Sequence, residues 1–172
     1  AAVIAHWNTF VDEVNGLDVT TTNLGISVAS LNADVAEVRL GWFAEIHVHD
    51  ASTAQSIPAT SSYTKLTCFT DDGASSGISP DYTNDKIAVI QPGYYLVNGS
   101  FNFTSDTDNL LIKGSAFLGG VRQDNLYFCR KAATGANAES VSFTGIVDVT
   151  TSSDLDVRVS HSGVSAVSLT VL

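Results

Sequence analysis

"QPGYYLVNGSFNF", Gln91 to Phe103, sets a Pro-Gly turn directly before a strictly alternating run. Side chains along an extended chain point to opposite faces in turn. Tyr95, Val97, Phe101 and Phe103 therefore share one face, while Asn98, Ser100 and Asn102 share the other with Tyr94 and Leu96. The stretch predicts a strand with a dry side bound for a core and a wet side. Gly99 is the one gap in the dry row, where the sheet has room for a close neighbour or a bend.

The chain around this strand has the same character. From "WFAEIHVHD" onward, strand-like runs recur between turn-rich spacers: "TKLTCF", "DKIAVI", "NLLIKGSAFL", "NLYFCR", "SVSFTGIVDV", "DLDVRVS" and "AVSLTVL". No segment after residue 41 has a helical period, which excludes a parallel βαβ plan and predicts an all-β, antiparallel jelly-roll sandwich over 42–172. At 172 residues there is room for one such domain and a short appendage.

Composition narrows the partners. Hydrophobic residues make up 44% and charged residues 15%, an ordered rather than a disordered balance. With 18 acidic against 8 basic residues the net charge is −10, and a nucleic-acid partner, which requires a positive footprint, is excluded. No run is long and apolar enough to span a membrane. The opening "AAVIAHWNTF" lacks the basic region and apolar length of a secretory signal, so the expectation is a chain made inside the cell.

The first forty residues carry a different pattern. Phe10, Leu17, Leu24, Leu31 and Val38 recur every seven residues, with Val14, Val28 and Val35 at the complementary offset and Thr21 as the polar exception. These are the a and d positions of a coiled coil, and they predict a helical stalk over 1–41 that oligomerises the protein. Gly16, Gly25 and "VTTTN" oppose a helix, by up to about 1 kcal/mol for each glycine. Burial of an apolar side chain contributes roughly 1.5–3 kcal/mol, so association can outweigh that propensity. Whether residues 15–29 are helical stays open at this level. Val19 and Ile26 fall at outward positions of the register and are assigned to a contact with a larger body, such as a shell.

A resemblance joins these parts. Gly93, Tyr95 and Phe101 at the start of a core strand, followed by "NLLIKGSAFLGG", "SVSFTGIVDVTTSSDLDVRVS" and "AVSLTVL", are similar to the jelly-roll head of the tumour necrosis factor superfamily and complement-type globular domains. The likeness runs over roughly residues 44–172 and departs from the family where "TTSSDLDVRV" replaces the usual Gly-Asp. "IPATSSYTKL", "YTNDKIAVIQPGYYLV" and "SLTVL" resemble the viral form of that head, found in phage fibres and capsid-decoration proteins. The resemblance implies a homotrimer around a threefold axis, with Tyr94 and Leu96 at the subunit interface. It implies a virion protein on the outer capsid surface that binds the major capsid protein as decoration or cement. The alternative is the receptor-binding head of a tail fibre or spike. Such a head would recognise a host-surface glycan or protein through the loops Asp71–Asp85 and Lys131–Glu139.

Chemistry-bearing residues are few. His47 and His49 in "EIHVHD" fall on one face of a strand at a spacing that suits metal ligation, but no third ligand type accompanies them, and packed or exposed histidines are expected. "TDDGASSGISPDYTND", Thr70 to Asp85, is rich in oxygen ligands without EF-hand spacing and reads as a solvated loop. Cys68 and Cys129 lie in apolar runs without metal or redox spacing; two buried free thiols are expected, while sequence leaves a disulfide open. His6 and His161 sit near no nucleophile motif. No catalytic residue, cofactor or metal is assigned.

Overall fold

The computed structural model describes residues 41–49, 53–59, 62–133 and 137–172. The heptad positions Phe10 to Val38, with Val19 and Ile26, lie outside the described residues. Contacts divide the chain into two units, Ala1–Gly41 and Trp42–Leu172, and every strand described belongs to the second.

In chain order the strands are β1 (Phe43–His47), β2 (Gln55–Ile57), β3 (Thr64–Lys65), β4 (Asp71–Ser76), β5 (Ser79–Asp81), β6 (Lys86–Val89) and β7 (Gly93–Ser105). They continue with β8 (Leu111–Leu118), β9 (Val121–Arg122), β10 (Phe128–Lys131), β11 (Glu139–Val149), β12 (Ser153–His161) and β13 (Val167–Val171). Among the described residues the strand ladders are antiparallel, with one isolated parallel bridge between Phe43 and Gly77. Among the described residues the helical turns are two short 3-10 segments, Tyr82–Asn84 and Asp124–Leu126.

Two sheets form an all-β sandwich. One has the order β11-β7-β13-β2, and the other β10-β8-β12-β6-β5 with β3 beside β12 and β9 beside β8. A two-stranded ribbon, β1-β4, accompanies them. The opening stretch is β7, the longest strand, laddered to β11 from Gly93↔Val149 through Phe103↔Glu139. Its dry face is the one anticipated: Phe103 is buried, and Tyr95, Val97 and Phe101 are half-buried against the core. They meet Val147, Val149, Leu169 and Val171 of their own sheet and Ile112, Ala116, Phe128 and Val159 of the opposite one. Each such side chain removed from water contributes about 1.5–3 kcal/mol, which makes this layer the main source of stability.

Gly99 has the close neighbour its gap allowed. Phe143, its ladder partner on β11, lays its ring across the glycine so that a Cβ there would overlap the ring. Gly114 on β8 is covered in the same way by its own partner, Phe128 on β10.

Thr70–Asp85 departs from the expected solvated loop. "DDGASS" is β4, paired with β1, and "SPD" is β5, paired with β6. Small polar residues with low strand propensity are held extended because the ladder satisfies their backbone groups, a case of tertiary context overriding propensity. The tight turn from β8 to β9 uses Gly119 and Gly120, both at positive φ (56° and 82°), a conformation that other residues enter only with strain.

Candidate functional site

Three places gather the residues that sequence singled out, beginning with the β1–β4 ribbon. His47 ends β1 and His49 follows it; their ring centroids are 5.7 Å apart. His47 lies 3.5 Å from Glu45, His49 lies 3.8 Å from Asp71, and the His47 ring covers Gly73 of β4. Both pairs are well exposed, and such contacts contribute at most about 1 kcal/mol each. Among the described residues no group of three or more His, Cys, Asp or Glu is placed to hold a metal ion.

Three other carboxylates of Thr70–Asp85 serve the backbone instead. Asp72 Oδ1 accepts from the Tyr82 amide at 2.8 Å, Asp81 Oδ1 accepts from the Asn84 amide at 3.1 Å, and Asp85 Oδ1 accepts from the Phe69 amide at 3.1 Å. Asp81 caps the 3-10 turn Tyr82–Asn84 that leads into β6, and the other two bonds tie the ends of that turn to Asp72 and Phe69.

The second place is a cleft of about 270 Å³ beside β7. Leu66, Cys68, Val97, Phe101, Leu155 and Val157 are among its walls, and Asp85 adds a carboxylate. Burial first, and Asp85 second, push the Cys68 thiol up to about 12. At neutral pH it is a thiol, and only the thiolate is a nucleophile. Cys129 corrects the expectation of two buried thiols: it is exposed on β10, while Cys68 is half-buried, and both are free. Only the first residue of β10, Phe128, is buried, since the strand borders its sheet and the rest turn to solvent.

His161 is structural. Its buried ring donates from Nε2 to the Ile57 carbonyl at 3.0 Å and accepts at Nδ1 from the Gly163 amide at 3.0 Å. These bonds tie β12 to β2 and select the tautomer with the proton on Nε2. At the other predicted loop, Arg130 at the end of β10 pairs with Glu139 at the start of β11, Nε to Oε2 at 2.7 Å.

The third place is the outer face of the β11-β7-β13-β2 sheet. Tyr94 is 78% exposed, Leu96 75% and Ile146 60%. Leu96 and Ile146 are direct ladder partners, and Tyr94, opposite Asp148, lies two residues along the same face. Beyond them the face turns polar through Asn98 opposite Thr144, Ser100 opposite Ser142 and Asn102 opposite Ser140. Alternation located Tyr94 and Leu96 on this face. Ile146 was missed; the signal that finds it is its outward phase in "SVSFTGIVDV", between the inward Phe143 and Val147.

No protein-family model matches the chain, and no curated protein matches it in sequence.

Proposed function

We propose that the protein is a structural component of a virus particle: a jelly-roll head, trimeric, that decorates and cements the outer capsid shell through the major capsid protein. The observation that carries the reading is the apolar end of the outer face, where Tyr94, Leu96 and Ile146 stand exposed side by side. A contiguous exposed apolar patch with a polar surround is the signature of a protein–protein contact. It is the place where heads would meet around a threefold axis.

Two further observations support the reading. The order β2-β13-β7-β11 of one sheet, and β6-β12-β8-β10 within the seven-stranded other, support a jelly-roll winding of the sandwich. A net charge of −10 on each chain would keep projecting heads soluble and mutually repelling. The heptads of 1–41 supply the stalk, and Val19 and Ile26 the shell contact. The virion setting rests on the sequence resemblance of the head.

Sedimentation equilibrium of the full chain is expected to give three times the chain mass. Quantitative mass spectrometry of purified particles is expected to give a copy number near that of the shell subunits. A few trimers per particle would instead make it a fibre or spike head, and a monomer would remove the basis of the reading.

A further inference from the structure

The two sides of β7 are used unequally. Toward β11 it is paired from Gly93 to Phe103. Toward β13 the described pairing covers Phe103 to Ser105 and ends with the Leu172 amide donating to the Asn102 carbonyl at 2.9 Å. Backbone groups of alternate residues point to the same edge of a strand. Since Asn102 faces the β13 side, Ser100, Asn98 and Leu96 present their N–H and C=O groups there too. Among the described residues none of these three has a ladder partner on that edge.

The cleft lies along this same edge. Asn98, Gly99, Ser100 and Phe101 line it together with Leu172. Its far wall is Leu155 and Val157 of β12, in the opposite sheet. A line extended from β13 along β7 would therefore cover a slot between the sheets. Edge amides beside an apolar slot are what an added strand requires: hydrogen-bonded rungs along the backbone and pockets for alternate side chains.

Charge indicates what the strand carries. Of the ionisable groups lining the cleft, Lys86 is paired with Asp154 at 2.9 Å, Asp156 with Arg158 at 2.6 Å and His47 with Glu45 at 3.5 Å. Asp85 is in no ion pair among the described residues. Burial pushes its carboxyl up, and the amide of Phe69 and the charge of Lys65 only oppose that. A cation brought to Asp85 would relieve a half-buried carboxylate, and the acidic chain as a whole favours a basic partner.

We propose that the Leu96–Ser100 edge of β7 and its cleft receive an extended strand of a partner chain, alternately apolar and bearing a Lys or Arg that faces Asp85. The strand adds antiparallel to β7, in line with β13, and those of its side chains opposite Val97, Gly99 and Phe101 enter the slot. This is independent of the virion reading, since any partner with such a segment satisfies it.

The probe is a set of synthetic nine-residue peptides, alternating Val with Thr and carrying one Lys at each position in turn, added to the full-length protein. Amide hydrogen exchange at Leu96, Asn98 and Ser100 is expected to slow by at least about tenfold with one register of the set. Ser100→Pro removes an edge N–H while sparing the β11 ladder, and is expected to abolish that protection with the melting curve little changed. Asp85→Asn keeps the acceptor for Phe69 and is expected to remove the preference for Lys. No slowing with any peptide, or slowing unaffected by Ser100→Pro, overturns the proposal. Amides already protected without peptide also overturn it, because the chain then closes its own edge.

Discussion

Phe128 and Phe143 stack across the sandwich, ring centroids 5.4 Å apart and planes within 15° of parallel. Each ring covers the glycine opposite it on its own sheet, Gly114 and Gly99 respectively. Phe101 meets Phe128 edge-on at 5.4 Å. Two strands without side chains at one point thus leave space that two aromatic rings fill from the neighbouring strands, and the rings join the sheets.

Adding a Cβ at either glycine must displace the ring that covers it, because the Cβ would overlap Phe143 at Gly99 and Phe128 at Gly114. Gly99→Ala and Gly114→Ala are each expected to destabilise the fold by about 1–3 kcal/mol, and Phe128→Ala by about 3–5 kcal/mol. Urea unfolding followed by tryptophan fluorescence measures both. An unchanged midpoint in either glycine variant would mean that the ring does not rest where it is described.

On β12, Arg158 holds the buried carboxylate of Asp156 through two bonds of 2.6 and 2.9 Å while lying 4.6 Å over the Phe117 ring. Removing Arg158 leaves Asp156 buried without its partner. Arg158→Met is expected to cost about 3 kcal/mol or more, and Asp156→Asn in the same chain to recover part of it. A loss in the double variant equal to the sum of the two single losses would show that the pair is not coupled.

Cys68 and Cys129 should differ in reactivity. With its thiol raised from 9.0 to about 12, Cys68 holds roughly a thousandth of the thiolate of an ordinary cysteine at a given pH below 9. Iodoacetamide at pH 8 is expected to modify Cys129 in the native protein and Cys68 only on unfolding, as peptide mass mapping would reveal. The same shift has a stability consequence. The folded state keeps the proton that the unfolded state releases, so this contribution is complete below about pH 9 and falls as pH rises toward 12. Cys68→Ala should flatten that alkaline decline.

His161→Phe would leave the Ile57 carbonyl and the Gly163 amide without their side-chain partner. The expected loss is about 1–3 kcal/mol, with amide exchange accelerated first in β2, the edge strand that the histidine secures. Uniform acceleration across the sandwich would contradict a local tie.

The exposed apolar residues of the outer face carry a solution prediction under the proposed trimer. Leu96→Asp together with Ile146→Asp is expected to weaken self-association of the full chain by at least about tenfold, because charges replace facing apolar groups on a desolvated surface. Because both side chains point away from the core, the melting temperature of the head should change little. An unchanged association constant would move the contact elsewhere.

The sequence by itself determined the strand class, the dry face of β7 and the outward phase of Tyr94 and Leu96. These are local consequences of a period of two and of turn residues, and they need no distant partner. The same logic failed where strands lack that period. "DDGASS" has no apolar alternation, and only its ladder to β1 makes it a strand. Gly99 could be read as a gap, but its filling by Phe143 depends on an eleven-residue register between strands with residues 106–138 of the chain between them. The burial of His161, the exposure of Cys129, the Asp156–Arg158 pair over Phe117 and the slot beside β7 were likewise decided by the tertiary structure. Each depends on which strand lies alongside and which sheet lies opposite, relations set by the packing of the whole domain and not by neighbours in sequence.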